Sequence, residues 1–225
     1  MERIFDIVFS ILALTIISPF LLIIIFILKL TGENKIFYLQ ERIGKDRKIF
    51  KIYKFATMLE NSPNLETGSI TIKNDPRILP FGRFLRKTKI NELPQLLNIL
   101  SGEMSLIGPR PLTSETFKMY SKNTQDLITG VRPGLSGIGS IIFRAEENIL
   151  QDKEISKDFY IKVISPYKGL LEEWYINNNK IYLYFLFIFL TIWLIFFPNS
   201  KITWRVLKNL PKPPDVLRES LNFLG

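Results

Sequence analysis

The sequence contains no cysteine and no histidine. The first absence excludes disulfides, thiolate nucleophiles and thiolate metal sites; the second excludes imidazole bases and any Ser-His-Asp triad. Chemistry must therefore run on carboxylates, hydroxyls, Lys and Arg, with an oxygen-bound cation such as Mg²⁺ as helper. Acidic charge is also short. The 225 residues hold 21 Asp and Glu against 30 Lys and Arg, a formal charge of +9. That balance points to phosphate-bearing partners. Apolar residues still make up 47 % of the chain, and basic and apolar together indicate a membrane surface before nucleic acid. The aromatic side chains cluster in apolar runs instead of on basic stacking platforms, which argues against a nucleic-acid partner.

Two apolar runs stand out. Residues 7–28 carry no charge; as a helix they would be roughly 33 Å long, enough to cross a bilayer core. No small-residue cleavage site follows, so a removable signal is not expected. Ser18-Pro19 lies near the middle of the run. The proline removes the bond to the Thr15 carbonyl, so a bend is expected there, with the Ser18 hydroxyl able to serve the freed backbone. Arg3 precedes the run and Lys29, Lys35 and Arg42 follow it. Basic residues on both flanks fit a re-entrant element that enters and leaves by one face, with a kinked span as the alternative. Residues 181–197 form the second run, at the short limit for a span. The basic tail behind it (Lys201, Arg205, Lys208, Lys212 and Arg218) favours a helix lying in the interface, a span staying open.

Between the runs lies a polar domain. Residues 48–55 alternate basic and apolar, which reads as a strand with one solvated or phosphate-facing side. Residues 61–74 are loop-like. Over 80–89, Phe81, Phe84 and Leu85 fall at helical spacing beside Arg83, Arg86 and Lys87, a basic amphipathic segment. A second short helix is expected over 93–100, ended by Gly102. Taken alone, Asn91-Glu92 reads as its start, with Asn as N-cap. Gly108-Pro109-Arg110-Pro111 excludes regular structure, and 131–139 is a Gly-rich loop. The expected fold class is mainly α with a small β element. The expected divisions are 1–29, a Ser-Pro-broken re-entrant membrane helix; 30–180, the polar domain; and 181–225, an interfacial or spanning helix with a basic tail.

Each motif alone is weak, but their order is specific. Arg3-Ile4-Phe5-Asp6, Ser10 and Ser18-Pro19 come first, then Phe37, Gln40, Arg42 and Gly44. Ile52-Tyr53-Lys54-Phe55, Thr57-Met58, Asp75-Pro76-Arg77 and Gly82-Arg83-Phe84-Leu85-Arg86-Lys87 follow. The strongest block is Glu92-Leu93-Pro94-Gln95-Leu96, Asn98, Gly102, Met104-Ser105-Leu106-Ile107 and Gly108-Pro109-Arg110-Pro111-Leu112; Arg132-Pro133-Gly134 and Gly137 complete it. Over nearly its whole length the chain resembles the bacterial sugar transferases, monotopic polyprenyl-phosphate phosphoglycosyl transferases.

The resemblance implies an enzyme on the cytoplasmic face of the bacterial inner membrane, in contact with membrane lipids. It implies transfer of a phosphosugar from a UDP-sugar to polyprenyl (undecaprenyl) phosphate, with release of UMP, as the first membrane-committed step of surface glycan assembly. It implies that Glu92 supports Mg²⁺, that Arg86, Arg110 and Lys54 meet phosphate, and that Arg132, Pro133, Gly134 and Gly137 belong to a nucleotide-recognising loop. In the family an Asp attacks the sugar-linked phosphate, and the lipid phosphate then attacks the covalent intermediate. Phosphoryl transfer is mainly positioning and charge neutralisation and needs no imidazole.

Three positions depart from that pattern. The nucleophile position holds Asn91, whose amide is neutral and a poor nucleophile. Ala56 replaces a basic residue, and Ser140 and Ile142-Phe143 replace a Gln and an Asn-Gly. The departures are coordinated, which favours a divergent branch over a single laboratory substitution. Such a branch either recruits another carboxylate (Glu92, Asp75, Glu103, Glu146 or Glu147) or serves as a catalytically impaired scaffold that binds lipid phosphate or partner enzymes. Glycosyltransferase partners and a homo-oligomer both stay open.

Overall fold

A computed structural model describes residues 2–31, 33–62, 75–144, 146–149 and 158–223. The first element, α1 (Glu2–Leu30), is one helix through Pro19 without interruption. At that point Ser18 Oγ donates to the Thr15 carbonyl at 3.0 Å, serving the acceptor that proline leaves unpaired. Helical structure therefore runs on through Ser18-Pro19, the position where a bend is expected.

Helix α1 is seated along its length. Arg3 donates to the carbonyls of Ile99 and Leu100 at 2.6 and 3.1 Å. Asp6 is 2 % exposed and accepts from Ser105 Oγ, the Leu106 N–H and Tyr184 Oη at 3.0, 2.9 and 2.8 Å. Further along, Ala13, Leu14 and Ile17 pack on Phe50, Ile52, Leu96, Ile99 and Met104. At the far end Ile24 and Leu28 join Phe55 and Leu85. The opposite face stays apolar and exposed, with Ile11, Ile16, Phe20 and Ile23 each more than half accessible. The helix is long and apolar enough to cross a membrane.

The hairpin of β1 (Phe37–Ile43) and β2 (Ile49–Phe55) pairs Phe37 with Phe55 and Ile43 with Ile49. Side chains alternate along β2, so Phe50, Ile52 and Lys54 share a face. Phe50 and Ile52 fill the core on that face and Lys54 continues it inward, whereas Lys51 faces solvent. After α2 (Pro80–Lys87), Lys89 adopts a left-handed conformation (φ 61°) and the chain tightens into a 3₁₀ turn, Ile90–Glu92. Pro94 then leads into α3 (Gln95–Ser101), which ends at Gly102 with φ 90°. Asn98 stitches α3 to β2, accepting from the Tyr53 N–H and donating to the Lys51 carbonyl.

Strand β3 (Ser105–Ile107) is followed by α4 (Ser114–Phe117) and α5 (Lys122–Thr129), with Thr113 and Ser121 as their N-caps. The expected Gly-rich loop is instead β4 (Gly134–Ser136), parallel to β3, running into α6 (Ile138–Ile142). A Cβ on Gly134 would lie 2.1 Å from the Gly108 nitrogen, and one on Gly137 2.1 Å from the Gly108 oxygen. The glycines thus let two backbones touch. After α7 (Glu146–Ile149) and a π-helical turn, Tyr160–Ile164, come α8 (Ser165–Asn177) and α9 (Ile181–Phe196).

The main core joins Ile138, Ile164, Leu171, Tyr184, Phe187 and Leu190 with Leu207, Leu217 and Leu221 of the tail. Tyr167 Oη donates to the Pro211 carbonyl, so the chain after α9 returns to α8. One face of α9 is core and the other, with Phe185, Phe189, Ile192 and Phe196, is exposed. Among the described residues the fold is mainly helical with two small two-stranded sheets. The expected loop over 61–74 lies mostly outside the described residues.

Candidate active site

An open cavity of about 1500 Å³ runs between α1, α9 and the β1–β2 hairpin. Its floor is a charge cluster built from three separate elements. Lys54 comes from β2, Glu92 from the 3₁₀ turn and Arg110 from Gly108-Pro109-Arg110-Pro111, where paired prolines forbid regular structure. Glu92 Oε1 accepts from Lys54 Nζ at 3.2 Å and from Arg110 Nη2 at 2.8 Å. Lys54 and Glu92 each keep 16 % of their side-chain surface accessible, and Arg110 keeps 39 %. Arg42, on β1, donates to the Pro111 carbonyl at 3.2 Å and also bonds Gln40.

Three cations around one carboxylate leave the floor net positive. Burial alone would raise Glu92, but Arg110 and Lys54 hold it well below the usual carboxylate range, so it stays ionised. Glu92 raises Arg110 against the opposing effect of burial. Burial lowers Lys54 to about 7, with Glu92 opposing and Arg110 and Arg42 adding to the fall. Arg42 is lowered to about 10 by burial and by Arg110. Around Glu92 the basic groups Lys54, Arg110 and Arg42 outnumber the carboxylate they share, an arrangement suited to a diphosphate or phosphate.

Asn91 lines the same cavity, 5 % exposed, and its Oδ1 has no hydrogen-bond partner. It makes no cap bond; Pro94 precedes α3 instead. The helix-start reading of Asn91 is corrected accordingly. An orphaned amide oxygen beside an ionised carboxylate is a small oxygen donor set. Mg²⁺ is held by one or two carboxylates when substrate phosphates complete its shell. Glu92 with Asn91 Oδ1 fits that minimum, although the described residues bring no group of three acidic side chains together.

A second polar cluster lines the cavity near α8. Glu146 and Lys168 pair at 2.5 Å, and Lys168 Nζ sits 4.9 Å from the Phe143 ring centre and 5.4 Å from that of Tyr160. Glu172 is 4 % exposed, with Oε2 unpartnered. Burial pushes it up to about 7, while the Arg110 backbone N–H, Lys168 and the Arg110 charge pull against that rise. Its carboxylate packs where a Cβ on Gly139 would stand, 2.5 Å from Oε1.

A family model described as bacterial sugar transferase matches residues 1–198. The chain belongs to the bacterial sugar transferase family. It is 41 % identical over 155 residues to an uncharacterized sugar transferase of Haemophilus influenzae, covering 63 % of this chain and 32 % of that one. It is 37 % identical over 154 residues to the exopolysaccharide production protein ExoY of Sinorhizobium fredii, covering 62 % of this chain and 68 % of the relative. Over 195 residues it is 32 % identical to the UDP-N-acetylgalactosamine-undecaprenyl-phosphate N-acetylgalactosaminephosphotransferase of Aeromonas hydrophila, 85 % of this chain and 42 % of the relative. The chain thus spans about a third of the Haemophilus protein and two thirds of ExoY.

For this bacterial sugar transferase, the structure brings Lys54, Arg86, Asn91, Glu92 and Arg110 to one cavity. Arg132, Pro133, Gly134 and Gly137 do not line it. Arg132 donates to the Gly102 carbonyl at 2.9 Å, and the two glycines pack on Gly108; Leu135, Ser136 and Gly139 of the same segment face the cavity. Of the acidic alternatives, Glu92 and Glu146 line it. Asp75 is locked to Arg77 at 2.7 and 2.9 Å, and Glu103 bonds Asn98 and Ser101. The Glu147 side chain lies outside the described residues. Glu172 belongs to no motif and only its burial against the cavity reveals it, whereas Arg42 stands in the ordered motif series and the structure adds its place at the cavity.

Proposed function

We propose that the chain moves a phosphosugar from a UDP-sugar to a polyprenyl phosphate, releasing UMP, at the cytoplasmic face of the bacterial inner membrane. The observation that carries this reading is the buried Lys54–Glu92–Arg110 cluster at the floor of a cavity walled by apolar helices. Arg110 and Lys54, with Arg42 and Arg86 beside them, neutralise donor diphosphate and acceptor phosphate. Glu92 fixes Lys54 and Arg110 in place. Glu92 and Asn91 Oδ1 would hold Mg²⁺, which when bound supplies charge neutralisation on the phosphate oxygens. Arg132, Pro133, Gly134 and Gly137 support the nucleotide side of the site from behind by fixing the Gly108–Pro111 turn.

In the reaction the bond between the sugar-bearing phosphorus and the UMP oxygen breaks, and a bond from that phosphorus to a lipid-phosphate oxygen forms. The Asn91 amide carries no charge to attack with. Transfer therefore passes through another cavity carboxylate or goes directly from UMP to the lipid phosphate. The two routes separate on exchange of labelled UMP into the donor without acceptor, which only a covalent intermediate permits.

The decisive test compares UMP release by this chain and by Asn91→Asp, using a panel of UDP-sugars, polyprenyl phosphate and Mg²⁺. Release by the unmodified chain is the expected result. Release only by Asn91→Asp refutes it and leaves a scaffold that binds lipid phosphate.

A further inference from the structure

The cavity changes character along its length. Helices α1 and α9 meet at their first turns, where the Phe5 ring lies 5.0 Å from Phe185 and Tyr184 donates to Asp6. Beyond that point both helices line the cavity. Leu12, Ala13 and Ile16 line the cavity from α1, and Ile188, Ile192 and Ile195 from α9. Both sets follow helical spacing, so each helix lays one continuous apolar ridge along the void. Leu12, Ile16, Ile192 and Ile195 are also 54, 62, 52 and 46 % exposed. They form a rim that is inside the cavity and outside the protein at once. The same void is lined by Lys54, Glu92 and Arg110, which are less exposed than that rim.

We propose that the cleft between α1 and α9 receives the hydrocarbon chain of a lipid phosphate, whose phosphate reaches Lys54 and Arg110 at the cavity floor. The inference rests on the proposed transferase reading for the acceptor's identity and adds where its tail lies. Complementarity selects the occupant: the void has an exposed apolar rim and a more buried cationic cluster, matching a long hydrocarbon with an anionic end. A UDP-sugar is polar throughout and fits only the base. The volume supports the assignment, since about 1500 Å³ exceeds the several hundred to about 1,000 Å³ of common small-ligand pockets. The rim is continuous with the exposed apolar face of α1, so a tail enters sideways from a bilayer without crossing water.

The test uses the full chain in detergent, without donor, and measures binding of undecaprenyl phosphate and of UMP. Ile16→Asp and Ile192→Asp place a carboxylate on the path of the tail. Ile23→Asp and Phe189→Asp do the same to exposed apolar residues that do not line the cavity, and so control for a general loss of lipid affinity. The rim variants are expected to weaken undecaprenyl phosphate binding by about tenfold with UMP binding unchanged, the loss of roughly two methylene contacts. The controls are expected to stay within about twofold. Equal effects in both pairs overturn the slot, as does an unmodified chain that binds no undecaprenyl phosphate. Rim-specific loss in a chain that releases no UMP supports the slot while refuting the transferase reading. UMP release with no difference between pairs does the reverse.

Discussion

Replacing Glu92 by Gln removes the one carboxylate that Lys54 and Arg110 share and changes little in volume. A fully buried ion pair broken from one side costs about 3–5 kcal/mol, because the remaining charge stays desolvated. Here the stranded cations are not fully enclosed: Arg110 keeps 39 % and Lys54 16 % of their side-chain surface. Water in the cavity screens them, and a loss of about 1–2 kcal/mol is expected. For a chain of this size that corresponds to a fall of roughly 2–8 °C in unfolding midpoint. Thermal unfolding in detergent measures it, and added inorganic phosphate should recover more of the midpoint in Glu92→Gln than in the unmodified chain. The pH dependence has a fixed sign. Glu92 is depressed in the fold, so its stabilisation is present above the unfolded carboxylate value and is lost as pH falls through the lower folded one. A midpoint unchanged or raised in Glu92→Gln, with no added effect of phosphate, would refute the electrostatic account of the floor.

Two further outcomes follow from the same structure. Lys54 loses its proton as pH rises through about 7, so affinity for a UDP-sugar, whose diphosphate does not titrate there, should fall several-fold between pH 6 and 8 by calorimetry; Lys54→Arg should flatten that slope. Gly134→Ala drives a Cβ to 2.1 Å from the Gly108 nitrogen, backbone against backbone, and should cost about 2–4 kcal/mol in denaturant unfolding while displacing Arg110.

The parts of this fold that were readable in advance are those fixed by local chemistry. The charge-free run of α1, the stop at Gly102 and the irregular Gly108–Pro111 turn each depend on residues contiguous in the sequence. Even the Ser18 hydroxyl could be foreseen as serving the acceptor that proline leaves, and it does so in a helix that runs on through Pro19. Asn91 misled as an N-cap, since capping is decided by where the next turn begins, and Lys89 in a left-handed conformation moves that point. The family motif implies that Lys54 meets phosphate, but its inward direction depends on the register of β2 against α3. Glu172 was invisible, since its burial beside Gly139 and Arg110 arises only when α6, α8 and the Gly108–Pro111 turn are packed together.

Asp6 has a consequence for how the chain is made. Its three donors are separated from it by 99, 100 and 178 residues. At synthesis rates of about 5–20 residues per second, Tyr184 leaves the ribosome on the order of ten seconds or more after Asp6. During that interval a long apolar helix exists without the three donors that satisfy the Asp6 carboxylate near its charged end. Nascent α1 thus needs shelter from another source, and variants at Ser105 or Tyr184 should reduce yield during biogenesis more than they reduce the stability of molecules already folded.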